Sequence, residues 1–515
     1  MKRFVAGLLC LCFVCLLFTG CGQQDVYVPT GDALEFEENY TGPTIEATVP
    51  EQPQELSLTY YPNISMNPYI CTDFTNRALF SLLYQGLFAV DREYQVTPVL
   101  CKNYRVSNDM RIYTFYPENA TFSDGSVLTA QDVLDSLLAA KESKLYSGRF
   151  LRVSEFRLSD DGKGVTVLLN TPYENFPILL DVPILRSEDV AQAYPLGTGP
   201  YIFRNTVNSS SLQRRANWWC DAEMAITADT IALIHAESAT QIRDNFQFGD
   251  LGIVCADPGS DRYADYRSDF ELWDCENGIF LYLVCSEYSK VFSDPELRAA
   301  LTYALDREQL ADEFYRGFAQ AASLPASPSS PYYNRNLASR YDYDKEKFAQ
   351  AVEAADIGDK TITLLVNSED SLRTRVARAI CDMLRDGGLT VELKDLSGEA
   401  YEYNLNAWNF DLYLGQTVLS PNMDLSQFFY QYGTLRQGGI SDSSAYALCQ
   451  QALENHGNYY TLHQTVMDNG LLCPVLFRSY AVYATRGLMT GLAPARDNVF
   501  YYSTGRSMED ALLTE

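Results

Sequence analysis

Histidine is nearly absent from this sequence. There are three in 515 residues, His235, His456 and His463, and none stands at an HxxxH or other metal-ligand spacing. Metal-assisted hydrolysis and imidazole acid–base chemistry are therefore poorly provided for. There is no GxSxG nucleophile elbow and no Walker loop. Residues 197–199 read GTG, but a third glycine is missing and Pro200 removes an amide donor where a phosphate would need one. Basic residues are scarce too, 39 Lys and Arg against 67 Asp and Glu, for a net charge of −28. Nucleic-acid phosphates need concentrated cations, so they are excluded as partners, and the acidic excess serves solubility. Nine cysteines follow Cys21, an odd number without a CxxC among them, which argues against a disulfide framework or a zinc site. Isolated cysteines in settings such as LVCS and AICD read as small buried residues. So many in an exported chain point to reducing or anaerobic surroundings.

What is present begins with an address. Lys2 and Arg3 precede an apolar run from Phe4 to Phe18, the length of a signal-peptide core and short of the roughly 20 residues a bilayer span needs. The run closes in LFTGC, which resembles the lipobox of bacterial lipoproteins and makes Cys21 the expected lipidated amino terminus on the outer face of the cell membrane. Residues 22–55 hold eight Asp or Glu and no Lys or Arg, a composition that cannot bury enough apolar surface to offset chain entropy. They read as an acidic tether, residues 21–55 in all, behind a signal peptide at 1–20. The remaining body, with apolar residues at 47% over the chain and 36 Tyr, is long enough for two to three domains.

Elements in that body alternate. ITLLV at 362–366 reads as a buried strand, Leu372, Val376, Ile380, Met383 and Leu384 fall at helical spacing, Gly387-Gly388 supplies a stop, and LTVEL begins another strand. This is a βαβ unit, and α/β architecture with mixed sheets flanked by helices follows. Asp294-Pro295-Glu296 caps a helix expected to run through ELRAALTYALDREQLADEFYRG to Gly317. In FSDGSVLTAQDV, 122–133, Asp124-Gly125 is a turn pair, and Thr129 with Asp132 resembles a capping box before Val133, Leu134, Leu137 and Leu138.

Several stretches together resemble one family. FSDGSVLTAQDV resembles the FxDGxPLTAxDV signature of family 5 solute-binding proteins, the peptide-binding lipoprotein components of bacterial ABC importers. LLYQGLFAVDREYQVTPVL at 82–100 and MRIYTFYPENATF at 110–122 resemble the segments before that signature. YPLGTGPYIF at 194–203 resembles the GTGPY motif, RRANWW at 214–219 the family's RNPxYW without its Asn-Pro, and FSDPELRAALTYALDREQL at 292–310 a family helix. They follow the family's order along nearly the whole mature chain.

The resemblance implies a type II periplasmic-binding-protein-like fold of two lobes with an extra third domain. Domain I would take 56–78, 185–282 and 478–515, domain II 79–184 and domain III 283–477. It implies a monomeric receptor without catalysis or cofactor that closes on a peptide or other small solute and delivers it to permease subunits. A sensor, or a receptor for a sugar, nickel chelate or haem, is the alternative, and a secreted hydrolase has no motif in its favour. In the family, a domain III strand before a WxxDxxDP-like stretch pairs with the peptide main chain. Here that stretch is FDLYLGQTVLSPNMDLSQFF, which puts Gly415, Gln416 and Thr417 against the ligand, with Tyr69 and Thr72 of NPYICT facing them. The family's acid for the peptide's α-ammonium falls on Leu419. A shifted register would give that role to Asp424 or Asp411.

Overall fold

The computed structural model describes residues 55–513 apart from 208, 221, 261, 262, 268, 490 and 497; Cys21, the apolar run and the acidic segment up to residue 54 lie outside the described residues. Most of the strands join one sheet. In chain order these are β1 (Glu55–Tyr60), β2 (Tyr201–Asn205), β3 (Ser210–Arg214), β4 (Thr230–His235), β5 (Ile253–Ala256), β6 (Phe270–Cys285), β7 (Ala319–Ala321), β8 (Thr361–Asn367), β9 (Thr390–Leu396), β10 (Leu412–Val418) and β11 (Cys473–Thr485). Their order across the sheet is β9-β8-β10-β6-β11-β5-β1-β4-β3-β2, with β7 paired to β11. Strand β1 runs parallel to β4 and β5, and β8 parallel to β9 and β10, while β6 and β11 are antiparallel to their neighbours. The sheet is therefore mixed, as the alternation of elements predicts.

The long strands β6 and β11 carry the chain from one half of this sheet to the other. Their register breaks between Glu276 and Phe280, and Gly278 sits in the break with φ 70. A separate antiparallel sheet has the order Cys101–Val106, Ile112–Pro117, Val165–Leu169, Val153–Leu158. The βαβ unit is parallel, and its helix Ser371–Asp386 buries Leu372, Val376, Ile380 and Leu384 against the β8–β10 half. One expectation needs correcting. The helix from Pro295 does not run unbroken to Gly317 but stops at Ala304. Leu305 is extended, and Asp306, whose side chain accepts from the Gln309 amide, caps a second helix, Arg307–Tyr315.

The family-like stretches turn out to hold one another. Thr129 and Asp132 form the capping box of the helix Ala130–Glu142, and Gly125 takes φ 92 in the turn before it. The Arg215 guanidinium donates to Thr121 Oγ1 (2.8 Å), to the Phe122 carbonyl (2.9 Å) and to the Thr198 carbonyl (3.2 Å). Trp218 Nε1 donates to Thr198 as well, and Trp219 Nε1 to Gln85 Oε1, both at 2.9 Å. The glycines of GTG pack rather than bind phosphate: a Cβ at Gly197 would fall 2.2 Å from the Leu83 carbonyl oxygen. Eight of the nine described cysteines are buried and Cys220 is half-buried.

Candidate functional site

The open part of the sheet is the edge of β10. Among the described residues, strand β8 pairs with β10 only at Leu412 and Tyr413, and beyond that point no described strand lies on that side of β10. On the other side, β6 pairs with β10 through Val418. The Ser286 amide donates to the Asp411 carbonyl and the Leu419 amide to the Gly278 carbonyl, each at 2.9 Å. In an antiparallel ladder hydrogen-bonded residues alternate, so 411, 413, 415, 417 and 419 bond to β6. The N–H and C=O groups of Gln416 and Val418 therefore face the open side, a ready place for an added strand. Gly415 is required by close approach: a Cβ there would lie 2.5 Å from the Tyr282 ring.

A cavity of about 730 Å³, part of it open to solvent, lies at the carboxyl ends of the parallel strands β1, β4 and β5. Tyr61 and Thr72 line it after β1, Ala239 and Ile242 after β4, and Asp257 after β5. Tyr263, Tyr266, Phe74 and Tyr480 give it an aromatic wall. Arg478, from the middle of β11, joins the cavity to the strand edge. Its Nη2 donates to Asp257 Oδ1 (2.8 Å) and Oδ2 (3.1 Å), its Nη1 donates to Gln416 Oε1 (3.2 Å), and its guanidinium lies over the Tyr315 ring. Burial is the largest single influence on Arg478 and would lower its pKa, but the charge and hydrogen bonds of Asp257 together with Tyr315 and Tyr480 outweigh it, and the guanidinium is held more firmly protonated than usual. A second link runs through Arg316, which donates to the Pro258 carbonyl, pairs with Asp265 at 3.2 Å and covers the Tyr263 ring. Burial raises the Tyr263 phenol, which stays neutral and able to donate.

The residues picked out from sequence are thus partly brought together. Thr72 is exposed and lines the cavity, and of Gly415, Gln416 and Thr417 on β10 it is Gln416 that is tied to the cavity's Asp257, through Arg478. Tyr69 is engaged elsewhere: its hydroxyl donates to the Pro183 carbonyl at 2.6 Å and its ring packs edge-on to Tyr146. Leu419 is 2% exposed and belongs to the core. The two alternative acids are occupied. Asp411 accepts from the Thr363 amide (2.9 Å) and from Ser289 Oγ (2.6 Å), and Asp424 accepts from the Ser426 amide (2.8 Å) with Arg152 at 3.8 Å. Arg478, Asp257 and the aromatic wall were missed. The available signal was a lone charge inside the apolar strand VLFRSYAVY. Among the described residues no group of His, Cys, Asp and Glu could hold a metal ion, and no helix is long and apolar enough to cross a membrane.

Comparison with known proteins agrees with this architecture. Residues 95–439 match the family model "Bacterial extracellular solute-binding proteins, family 5 Middle". The oligopeptide-binding protein AppA of Bacillus subtilis is 24% identical over 405 residues, covering 71% of this chain and 73% of AppA. The nickel-binding protein NikA of Staphylococcus aureus is 22% identical over 382 residues, covering 71% and 76%. Among solved structures, a putative peptide binding protein AppA from Clostridium difficile superposes with a TM-score of 0.72 at 16% identity, over 87% of this chain and 98% of that one. The ABC transporter substrate binding protein CtaP of Listeria monocytogenes gives 0.71 at 19% identity, over 90% and 100%. The fold is that of the type II periplasmic binding proteins, and with the family model covering well over half of its length the chain belongs to the family 5 bacterial extracellular solute-binding proteins.

Proposed function

We propose that this protein is a lipid-anchored receptor that takes up a peptide between two lobes and hands it unchanged to an ABC permease. The observation that carries this reading is the open edge of β10 at Gln416 and Val418, joined to an aromatic cavity by Arg478. An extended main chain laid along that edge satisfies the free N–H and C=O groups, and its side chains enter the cavity. Open and closed forms exchange about the crossing strands, and the solute stabilises the closed form through contacts present only there. In this reading domain I takes 56–78, 185–282 and 478–515, domain II 79–184 and domain III 283–477. Cys21 carries the lipid on the outer face of the membrane, the receptor is monomeric, and it performs no turnover. Gly415, Gln416, Thr417 and Thr72 contact the ligand, while Leu419 stays in the core beneath the strand end.

A second reading keeps the fold and changes the solute. It is favoured by one observation, that no acid at 411, 419 or 424 is free to meet a peptide ammonium. The relatives include proteins named for binding nickel and glutathione as well as oligopeptides. Native mass spectrometry of the protein as purified from its own cells tests both. A retained set of peptides supports the first reading, a single non-peptide mass the second, and cleaved products in excess over protein would overturn both.

A further inference from the structure

The register break in β6 and the end of the open edge are the same place. Strand β6 falls out of step with β11 between Glu276 and Phe280, and its pairing with β10 ends at Ile279 opposite Val418. One residue further, the Leu419 amide donates to the Gly278 carbonyl at 2.9 Å. Gly278 has φ 70 and no room for a side chain: a Cβ there would lie 2.7 Å from Arg496 Nη2 and 2.9 Å from the Leu419 carbonyl oxygen. The edge of β10 therefore runs out at a bulge against which a guanidinium is packed.

That guanidinium comes from the C-terminal segment, 77 residues beyond Leu419. Arg496 is 4% exposed, and its Nη2 donates to the Leu419 carbonyl at 3.1 Å. Its Nε and Nη1 are buried and have no hydrogen-bond partner among the described residues, so the one acceptor this side chain meets there is the carbonyl next to Val418. Two further groups steady the cation. Glu276, the last residue of β6 in step before the break, is close enough for the two charges to act on each other. The Tyr94 ring lies with its centre 6.0 Å from the guanidinium, and its hydroxyl donates to that same Glu276. Taking Arg496 away would leave the Glu276 charge without its neighbour and the Leu419 carbonyl without its side-chain donor.

We propose that Arg496 is a positioning residue for solute binding. It does not line the solute cavity. It holds the Leu419 carbonyl, and through it keeps the outward N–H and C=O of Val418 in line with those of Gln416 as one continuous edge. The inference rests on the reading of that edge as the place where a solute main chain pairs. Without the guanidinium the strand is still held at Thr417, opposite Phe280, and loosens beyond it, so Val418 loses its place while Gln416 keeps its own.

The test is calorimetry on the purified full chain with the peptide fraction eluted from the natively purified protein, in proline and alanine variants at two positions. Val418→Pro removes an outward N–H that Val418→Ala keeps, and Gln416→Pro and Gln416→Ala do the same two residues earlier. With Arg496 in place, proline should bind at least about tenfold more weakly than alanine at both positions. Arg496→Lys keeps a cation beside Glu276, but its nitrogen stops one bond short of where Nη2 stands. In that background the difference at 418 should fall below about threefold while the difference at 416 persists. Arg496→Met should act in the same way, and Arg496→Lys decides the matter where loss of the charge prevents folding. A merely structural role would leave both differences intact. A tenfold difference at 418 that survives in Arg496→Lys would overturn this inference alone, as would loss of both differences together. Absence of the differences with Arg496 in place would overturn main-chain pairing at the edge, and this inference with it.

Discussion

Replacing Gln416 by proline and, separately, by alanine isolates a single N–H group. Both variants lose the side-chain acceptor for Arg478 Nη1, a bond of 3.2 Å worth about 1 kcal/mol net. Only proline also removes the residue's amide. The ladder to β6 runs through odd-numbered residues, with Leu419 N to Gly278 O at 2.9 Å, so the 416 amide contributes nothing to it. Proline is tolerated on such an outward edge, and it asks the preceding Gly415 for the extended conformation it already has. The two variants should therefore unfold within about 1 kcal/mol of each other, by the scale of one hydrogen bond. Ligand affinity should separate them. The lost main-chain bond is worth about 0.5–1.5 kcal/mol, and the ligand carbonyl left buried without a donor costs about 1–3 kcal/mol more. Together these weaken binding by about tenfold to a thousandfold relative to the alanine variant. Urea denaturation and calorimetry with the solute recovered from the native protein read the two quantities. Equal affinities would refute main-chain pairing at this edge, and a proline variant less stable by more than about 3 kcal/mol would refute the ladder parity.

Other perturbations test other parts of the account. Gly415→Ala should destabilise by up to about 2.5 kcal/mol in urea, since crowding the Tyr282 ring costs about 1–3 kcal/mol and the alanine returns about 0.4–1 kcal/mol through the unfolded chain; raised stability would contradict the 2.5 Å approach. Cys21→Ser should move the protein from the membrane fraction to the medium, and a variant that stays membrane-bound rules out the lipid anchor. With Leu419 buried and Asp411 and Asp424 occupied, a free peptide and its N-acetylated partner should bind within about tenfold of each other, 1.4 kcal/mol, and a larger preference for the free peptide would show that an acid still anchors the ammonium. His463 is fully buried, both its ring nitrogens are without a hydrogen-bond partner among the described residues, and burial lowers its pKa from 6.5 to about 3. The fold then binds fewer protons than the unfolded chain, so this residue's contribution is complete above pH 6.5 and declines by about 1.4 kcal/mol per unit as pH falls toward 3. His463→Leu should flatten that decline in denaturation curves at stepped pH, and an unaltered slope would contradict it.

How much could be read in advance depended on whether the chemistry was local. The capping box at Thr129 and Asp132, the turn at Gly125 and the βαβ unit from Thr361 to Leu396 rest on neighbours within a few residues, and the structure contains each of them. The helix break at Leu305 was also local but ambiguous, because Asp306 is a plausible mid-helix residue until its side chain is seen capping Gln309. Arg478 with Asp257 was beyond reach: the two lie 221 residues apart, and only the meeting of β11 with the end of β5 makes them a pair. Tyr69 misled for the same reason, since its partner carbonyl on Pro183 is 114 residues away. The open edge at Gln416 needed both neighbours of β10 to be known, and both lie well before it in the chain, at 279–285 and 361–367.

The central claim is that solute binding closes the protein and leaves the solute intact. Small-angle scattering of the mature chain carrying Cys21→Ser, with and without saturating solute recovered from the native protein, tests it most directly when the solute is then weighed by mass spectrometry. The account predicts a smaller radius of gyration in the bound state and a solute of unchanged mass at one per chain. An unchanged radius at saturation, or a solute returned in pieces, would contradict it.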